Sequence, residues 1–306
     1  MAIEGLLGAY EIGGIGEVKN KTIRFYSYEC QPDRNNKEDI LLQAVYEQDH
    51  PPRVSNGYPN GQDMLIDLCN LHLSLSGRTL AGSARIIAEW CTQRIHPYYI
   101  YEDDLFKLDS ITGAKKSDLD FEVNILNYFS FSCRQMVSDL EKLYLGTLAA
   151  FTLKHLMSGE FSKAKMLFNP VAADFEENLC DKWTRSDEKA RGIIADDLLK
   201  KLPCLKMGAQ YDFGTGKVLF LPYVRSVFDS AYYALARFIS VDAGAASDTG
   251  GKTTIAFCKA CGTAFVKTGN RQQYCQRPQC QSVRNSRKSQ DYYYRKKQKE
   301  IDDPLS

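Results

Sequence analysis

The segment Phe257-Cys258-Lys-Ala-Cys261-Gly262-Thr-Ala-Phe265-Val-Lys-Thr-Gly269-Asn-Arg-Gln-Gln-Tyr274-Cys275-Gln-Arg-Pro-Gln-Cys280 puts four cysteines within 23 residues. The spacing is C-x2-C, thirteen residues, then C-x4-C. Two thiolates separated by two residues turn back on one ion, and Gly262 suits the tight turn that follows. Cys258, Cys261, Cys275 and Cys280 are therefore read as the four ligands of one structural Zn²⁺, with an iron–sulfur cluster as the competing occupant. The size of the module argues for a metal. About forty residues with few large apolar side chains do not bury enough surface to offset their chain entropy, whereas zinc binding contributes about 10–16 kcal/mol in finger peptides.

Working outward, Phe257, Phe265 and Tyr274 are expected to form a small apolar cluster beside the metal. Thr263–Lys267 and Arg271–Tyr274 read as two short strands around Thr268-Gly269-Asn270, and Cys280 opens a helix through Lys299. Knuckle, hairpin and helix together predict a treble-clef-like finger. A treble-clef nuclease needs a histidine to activate water. The four histidines lie at 50, 72, 96 and 155, so none falls within 250–306.

Charge is distributed unevenly. Residues 258–299 carry eleven Lys/Arg against Asp291 alone, a balance of +10, while the first 257 residues carry 28 bases and 34 acids, or −6. The overall +1 thus conceals an acidic body and a basic tail, an asymmetry that points to a polyanionic partner. At 100° per residue, Arg284, Arg287, Lys288, Arg295 and Lys299 share a face broken only by Asp291. Val283, Tyr294 and Ile301 fall on the opposite side, where they are expected to pack back on the protein. A basic helix beside a zinc module carries the electrostatic footprint of a nucleic-acid binder.

The rest of the chain is 44% apolar overall and long enough, at 306 residues, for about two domains. Cysteines 30, 69, 91, 133, 180 and 204 sit in scattered apolar contexts and read as small buried hydrophobes of a reducing compartment. The start, Met1-Ala-Ile-Glu-Gly, lacks a basic n-region, and the apolar stretch Leu143–Leu153 falls short of the ~18 residues of a membrane helix. A cytoplasmic protein without a membrane partner is expected.

The fold class read from these patterns is α+β. It comprises a mainly helical body with short strands (1–241), a Gly/Ala/Ser/Asp linker (242–252) and the finger with its basic helix (253–306). In the body, Thr22–Tyr28 reads as a strand, and the glycines at 5, 8, 13, 14 and 16 as turns rather than a phosphate loop. Helices are predicted for Asp39–Tyr46, Gln62–Leu75, Leu80–Ile95, about 131–157, Asp187–Leu202 and from Pro222 onward. A hairpin is predicted for Gln210–Leu221, with Gly214 and Gly216 in its turn. His155, on the apolar stripe of 131–157, reads as a packed side chain. Asp103, Asp104, His72 and His96 form no catalytic spacing, and no enzyme is expected.

From about residue 210 onward the sequence resembles the C-terminal part of bacterial CGNR-type (ABATE-like) zinc-finger transcription regulators. The likeness rests on the hairpin, Pro222, the strand entering the first cysteine pair, Phe265, Arg271, Tyr274-Cys275, the C-x4-C spacing and the arginine-rich helix. It departs at Cys280-Gln281-Ser282-Val283, where the family has Cys-Gly-Asn-Arg. The resemblance implies zinc on the four cysteines, DNA contact by the following helix, and a sensor or ligand-binding role for the body.

The function expected is a zinc-dependent, DNA-binding transcriptional regulator, with DNA favoured over RNA and the body sensing or dimerising. Phosphate contacts are assigned to Lys259, Lys267, Arg271, Arg277, Lys296 and Lys297. Base-edge contacts are assigned to Arg284, Asn285, Arg287 and Lys288, with Arg295 and Lys299 on the same cationic face. The alternative is a zinc-finger subunit of a larger ribonucleoprotein or defence-type complex. Such a subunit would bind RNA, single-stranded DNA or a protein, and Tyr292, Tyr293 and Tyr294 would stack on unpaired bases.

Overall fold

The computed structural model describes residues 21–45, 52–56, 61–98, 129–168, 179–204, 207–212, 217–222, 224–240, 254–269 and 272–302. The N-terminal glycines, Asp103, Asp104, the turn glycines 214 and 216, the expected linker and Arg271 lie outside them. The chain divides into two compact units, 1–245 and 246–306.

The first unit mixes helices with small antiparallel sheets. β1 (Lys21–Arg24) pairs with β4 (Arg53–Asn56). β3 (Ile40–Val45) is the centre of a sheet between β2 (Ser27–Pro32) and β5 (Ser130–Ser132), with Leu42 opposite both Cys30 and Phe131. Where a helix is expected at Asp39–Tyr46, Ile40–Val45 form a strand. Six residues of Ile-Leu-Leu-Gln-Ala-Val are too short to separate the two periodicities, and pairing on both edges decides for the strand. The single strand expected over Thr22–Tyr28 is two, separated at Phe25-Tyr26.

Helices α1 (Gly61–Leu75) and α2 (Leu80–Gln93) lie where the apolar periodicity predicts them. α3 (Cys133–Met157) is the central helix, burying Met136, Leu140, Leu143, Leu148 and Phe151. Its N-terminus is closed by Ser132, whose Oγ accepts from the Gln135 amide at 2.9 Å and donates to Asp39. Gly146 is the point of closest approach: a Cβ there would meet the Lys201 carbonyl and Leu202 at 3.1 Å. α4 (Phe161–Phe168), α5 (Leu179–Arg185) and α6 (Glu188–Leu199) follow, the last capped by the Asp187 carboxylate on the Ala190 amide at 2.8 Å.

β6 (Met207–Asp212) and β7 (Lys217–Pro222) form the predicted hairpin. Pro222 ends β7 rather than opening the next helix. α7 (Val227–Ser240) begins after Ser226, whose hydroxyl accepts from the Asp229 amide at 3.2 Å. α1 and α7 pack together, and both pack on α3. No helix among the described residues is long and apolar enough to cross a membrane.

An aromatic cluster joins the sheets to α2. Phe25, Tyr28, Phe129 and Phe131 surround His96, which is 3% exposed. Tyr28 Oη lies 2.9 Å from His96 Nδ1. Burial drives the histidine down to about 3 and raises the tyrosine, so the phenol donates to a neutral imidazole. His155, expected to pack in the core, instead pairs with Glu160 at 2.6 Å just past the end of α3. Among the scattered cysteines, 69, 91, 133 and 180 are buried, but Cys30 and Cys204 are exposed.

In the second unit β8 (Thr254–Phe257) pairs with β9 (Ala264–Lys267), and α8 (Pro278–Asp302) follows. The strand expected at Arg271–Tyr274 is not formed over Gln272–Tyr274. The partner of β9 is the strand leading into Cys258, because the 258–263 knuckle is itself the hairpin turn.

Candidate metal centre and cationic helix

The knuckle is built by three backbone hydrogen bonds. The Cys258 amide donates to the Thr263 carbonyl at 2.9 Å, closing the β8–β9 hairpin, and the Gly262 amide donates to the Cys258 carbonyl at 2.8 Å. Gly262 has φ of 70°, a conformation that L side chains resist. The Lys259 amide donates to the Gln273 carbonyl at 3.0 Å, which brings the second cysteine pair beneath the first. Cys280 arrives on the first turn of α8, and the Gln281 side-chain amide donates to the Cys275 carbonyl at 2.7 Å.

The four sulfurs all lie within 4.8 Å of one another. Cys261 and Cys275 Sγ are 3.8 Å apart. With Zn–S bonds near 2.3 Å, the edge of a tetrahedron is about 3.8 Å. Cys258, Cys275 and Cys280 are buried, Phe265 and Tyr274 pack against them, and Cys261 is open to solvent. The Cys275 amide donates to Cys258 Sγ at 3.3 Å, and Thr263 Oγ1 lies 3.1 Å from Cys261 Sγ. The Cys275 amide thus aims a donor at sulfur, as a metal-bound thiolate would require.

Protonation follows from this packing. Burial raises the Cys261 thiol, but the Thr263 hydroxyl and amide and the Cys280 and Cys258 sulfurs outweigh it and pull it down to about 6. Cys280 is pushed up to about 12 by desolvation first and then by the other three sulfurs, and desolvation likewise raises Cys275. Four sulfurs this close do not all carry charge unless a cation sits between them. The four cysteines are placed to coordinate one metal ion, and an all-sulfur set suits zinc.

α8 runs on beyond the cluster with every side chain from Ser282 to Lys297 exposed. Val283 (38%) and Tyr294 (69%) do not pack back as expected, and Tyr292 (72%) and Tyr293 (65%) are equally open. Lys259, Arg277, Arg284, Asn285, Arg287, Lys288, Arg295, Lys296 and Lys297 are all exposed, whereas Lys267 is half-buried on β9. Arg284 bonds the Gln281 side chain at 2.9 Å, and Arg287 Nη1 lies 3.2 Å from Tyr274 Oη. This last contact ties the helix to the cysteine-bearing loop, and no spacing rule would have predicted it. Compared with family models, curated proteins and solved structures, the chain matches none.

Proposed function

We propose that this chain is a zinc-dependent nucleic-acid-binding protein acting as a DNA-binding transcriptional regulator. Its finger is of treble-clef type, with a knuckle between β8 and β9 and the fourth ligand on the following helix. The observation that carries the proposal is α8 itself, a 25-residue helix that starts at the metal cluster and is exposed from Ser282 to Lys297. A helix of this polarity buries little of its own surface and gains its energy from a partner. Its row of Arg284, Arg287, Lys288 and Arg295 calls for a polyanion. The zinc supplies the fold of the module, and the cations supply affinity. The acidic body senses an effector or dimerises.

A second reading, an RNA- or single-strand-binding subunit of a larger complex, is favoured by one observation: Tyr292, Tyr293 and Tyr294 are all more than half exposed. Gel-shift titrations of the zinc-loaded protein against duplex DNA, the same single strands and matched RNA separate the two. Preference for duplex supports the regulator, preference for unpaired strands supports the alternative, and indifference to all three refutes both.

A further inference from the structure

The cationic row of α8 is exposed, but it does not stand alone. It forms one wall of a cleft of about 1210 Å³, whose other wall is the metal-binding segment. On the helix side stand Arg284, Arg287, Lys288, Asp291 and Arg295, spaced so that they share one face. Opposite them stand Lys259 of the knuckle, Thr268, Gln273 and Tyr274. The cleft therefore holds five cations and one acid. Among the described residues Lys259, Lys288 and Arg295 form no ion pair, so their charge is left for a ligand.

Resting on the nucleic-acid reading, we infer that this cleft is a backbone clamp. It holds the sugar–phosphate chain of one strand of the duplex between Lys259 on one side and Arg284, Lys288 and Arg295 on the other. A helix face that reads base edges must enter a major groove about 12 Å wide. The face bearing Arg284, Lys288 and Arg295 instead shares its cleft with Lys259, Gln273 and Tyr274. From Arg284 to Arg295 the helix rises about 17 Å, the length of a few nucleotides. The cleft exceeds the roughly 300–1,000 Å³ of a small-molecule pocket and suits a chain passing through. Arg284, Arg287 and Lys288 thus change role, from base readers to phosphate contacts. Tyr274 Oη holds Arg287 against the loop wall. Base reading passes to residues off this face, Asn285 first. Asp291 is the one group in the cleft that repels a phosphate.

The test uses the full zinc-loaded chain and two duplexes of about 20 bp, unrelated in sequence, with anisotropy read between about 50 and 200 mM salt. K259Q and R295Q should each lower the salt slope by about 0.9 and weaken both duplexes equally. D291N should tighten both by about twofold to fivefold, a gain that misfolding does not produce. The clamp is overturned if K259Q leaves slope and affinity at the wild-type values, if R295Q weakens one sequence only, or if D291N brings no gain. Failure of the wild-type protein to bind either duplex overturns the nucleic-acid reading itself, a result distinguishable from loss of the clamp alone.

Discussion

Replacing Cys258 by serine should empty the metal centre and unfold residues 254–302 while leaving the first unit intact. Cys258 is 3% exposed, and its sulfur accepts the Cys275 amide, so the substitution removes a ligand and a hydrogen-bond acceptor together. Little else holds this module. Among the described residues its buried apolar side chains besides the cysteines are Ile255 and Ala264, with Phe257, Phe265, Val266 and Tyr274 half-buried. A fully buried aliphatic side chain contributes about 1.5–3 kcal/mol, whereas zinc in a finger contributes about 10–16. Loss of the metal is therefore the larger effect by several-fold, and no repacking compensates it. Metal content by mass spectrometry should fall from one zinc per chain to none. Amide exchange should become unprotected across β8, β9 and the first turns of α8 but stay unchanged in α3. One zinc per chain with a protected β8–β9 hairpin in C258S would refute the reasoning.

Three further outcomes follow from particular residues. Gly262→Ala forces a side chain onto φ of 70°, which costs about 1–2 kcal/mol. Chelator competition should register this as a fivefold to thirtyfold loss of zinc affinity. R284E/R287E should abolish duplex binding in a gel shift while zinc content stays at one per chain, because neither residue touches the sulfurs. The His96 imidazole is held neutral, well below the ~6.5 it takes when unfolded, so the unfolded chain binds the extra proton as pH falls. First-unit stability should therefore drop by about 1.4 kcal/mol per pH unit below ~6.5, flattening as pH nears the folded value of about 3. Denaturant melts at pH 7 and 5 check this, and H96Q should remove most of the difference.

How much was legible varied with the range of the interactions. The clustering of Cys258, Cys261, Cys275 and Cys280 was legible in their spacing, because two short-spaced cysteine pairs can converge in few ways. α1, α2 and α3 were written in long apolar periodicities. Ile40–Val45 was not, since its strand character comes from partners at Cys30 and Phe131 far along the chain. The hairpin partner of β9 was misplaced for a related reason. A C-x2-C-G knuckle can be both a metal loop and a β-turn, and cysteine spacing signals only the first role. Pro222 suited a helix start by its own geometry, but pairing with Met207 claimed it for a strand. The cleft was invisible because a helical wheel shows which residues share a face and not what stands opposite that face. The Gln281–Cys275 and Arg287–Tyr274 contacts bring the loop alongside α8.

The most direct measurement is a salt titration of duplex binding on one preparation before chelation, after it, and after zinc is restored. With about six phosphates engaged, the loaded protein should give a slope of log K on log[salt] near −5, lose that binding on chelation and regain it with zinc. Binding that survives metal removal unchanged, or a loaded protein with no salt-dependent affinity, would contradict the account.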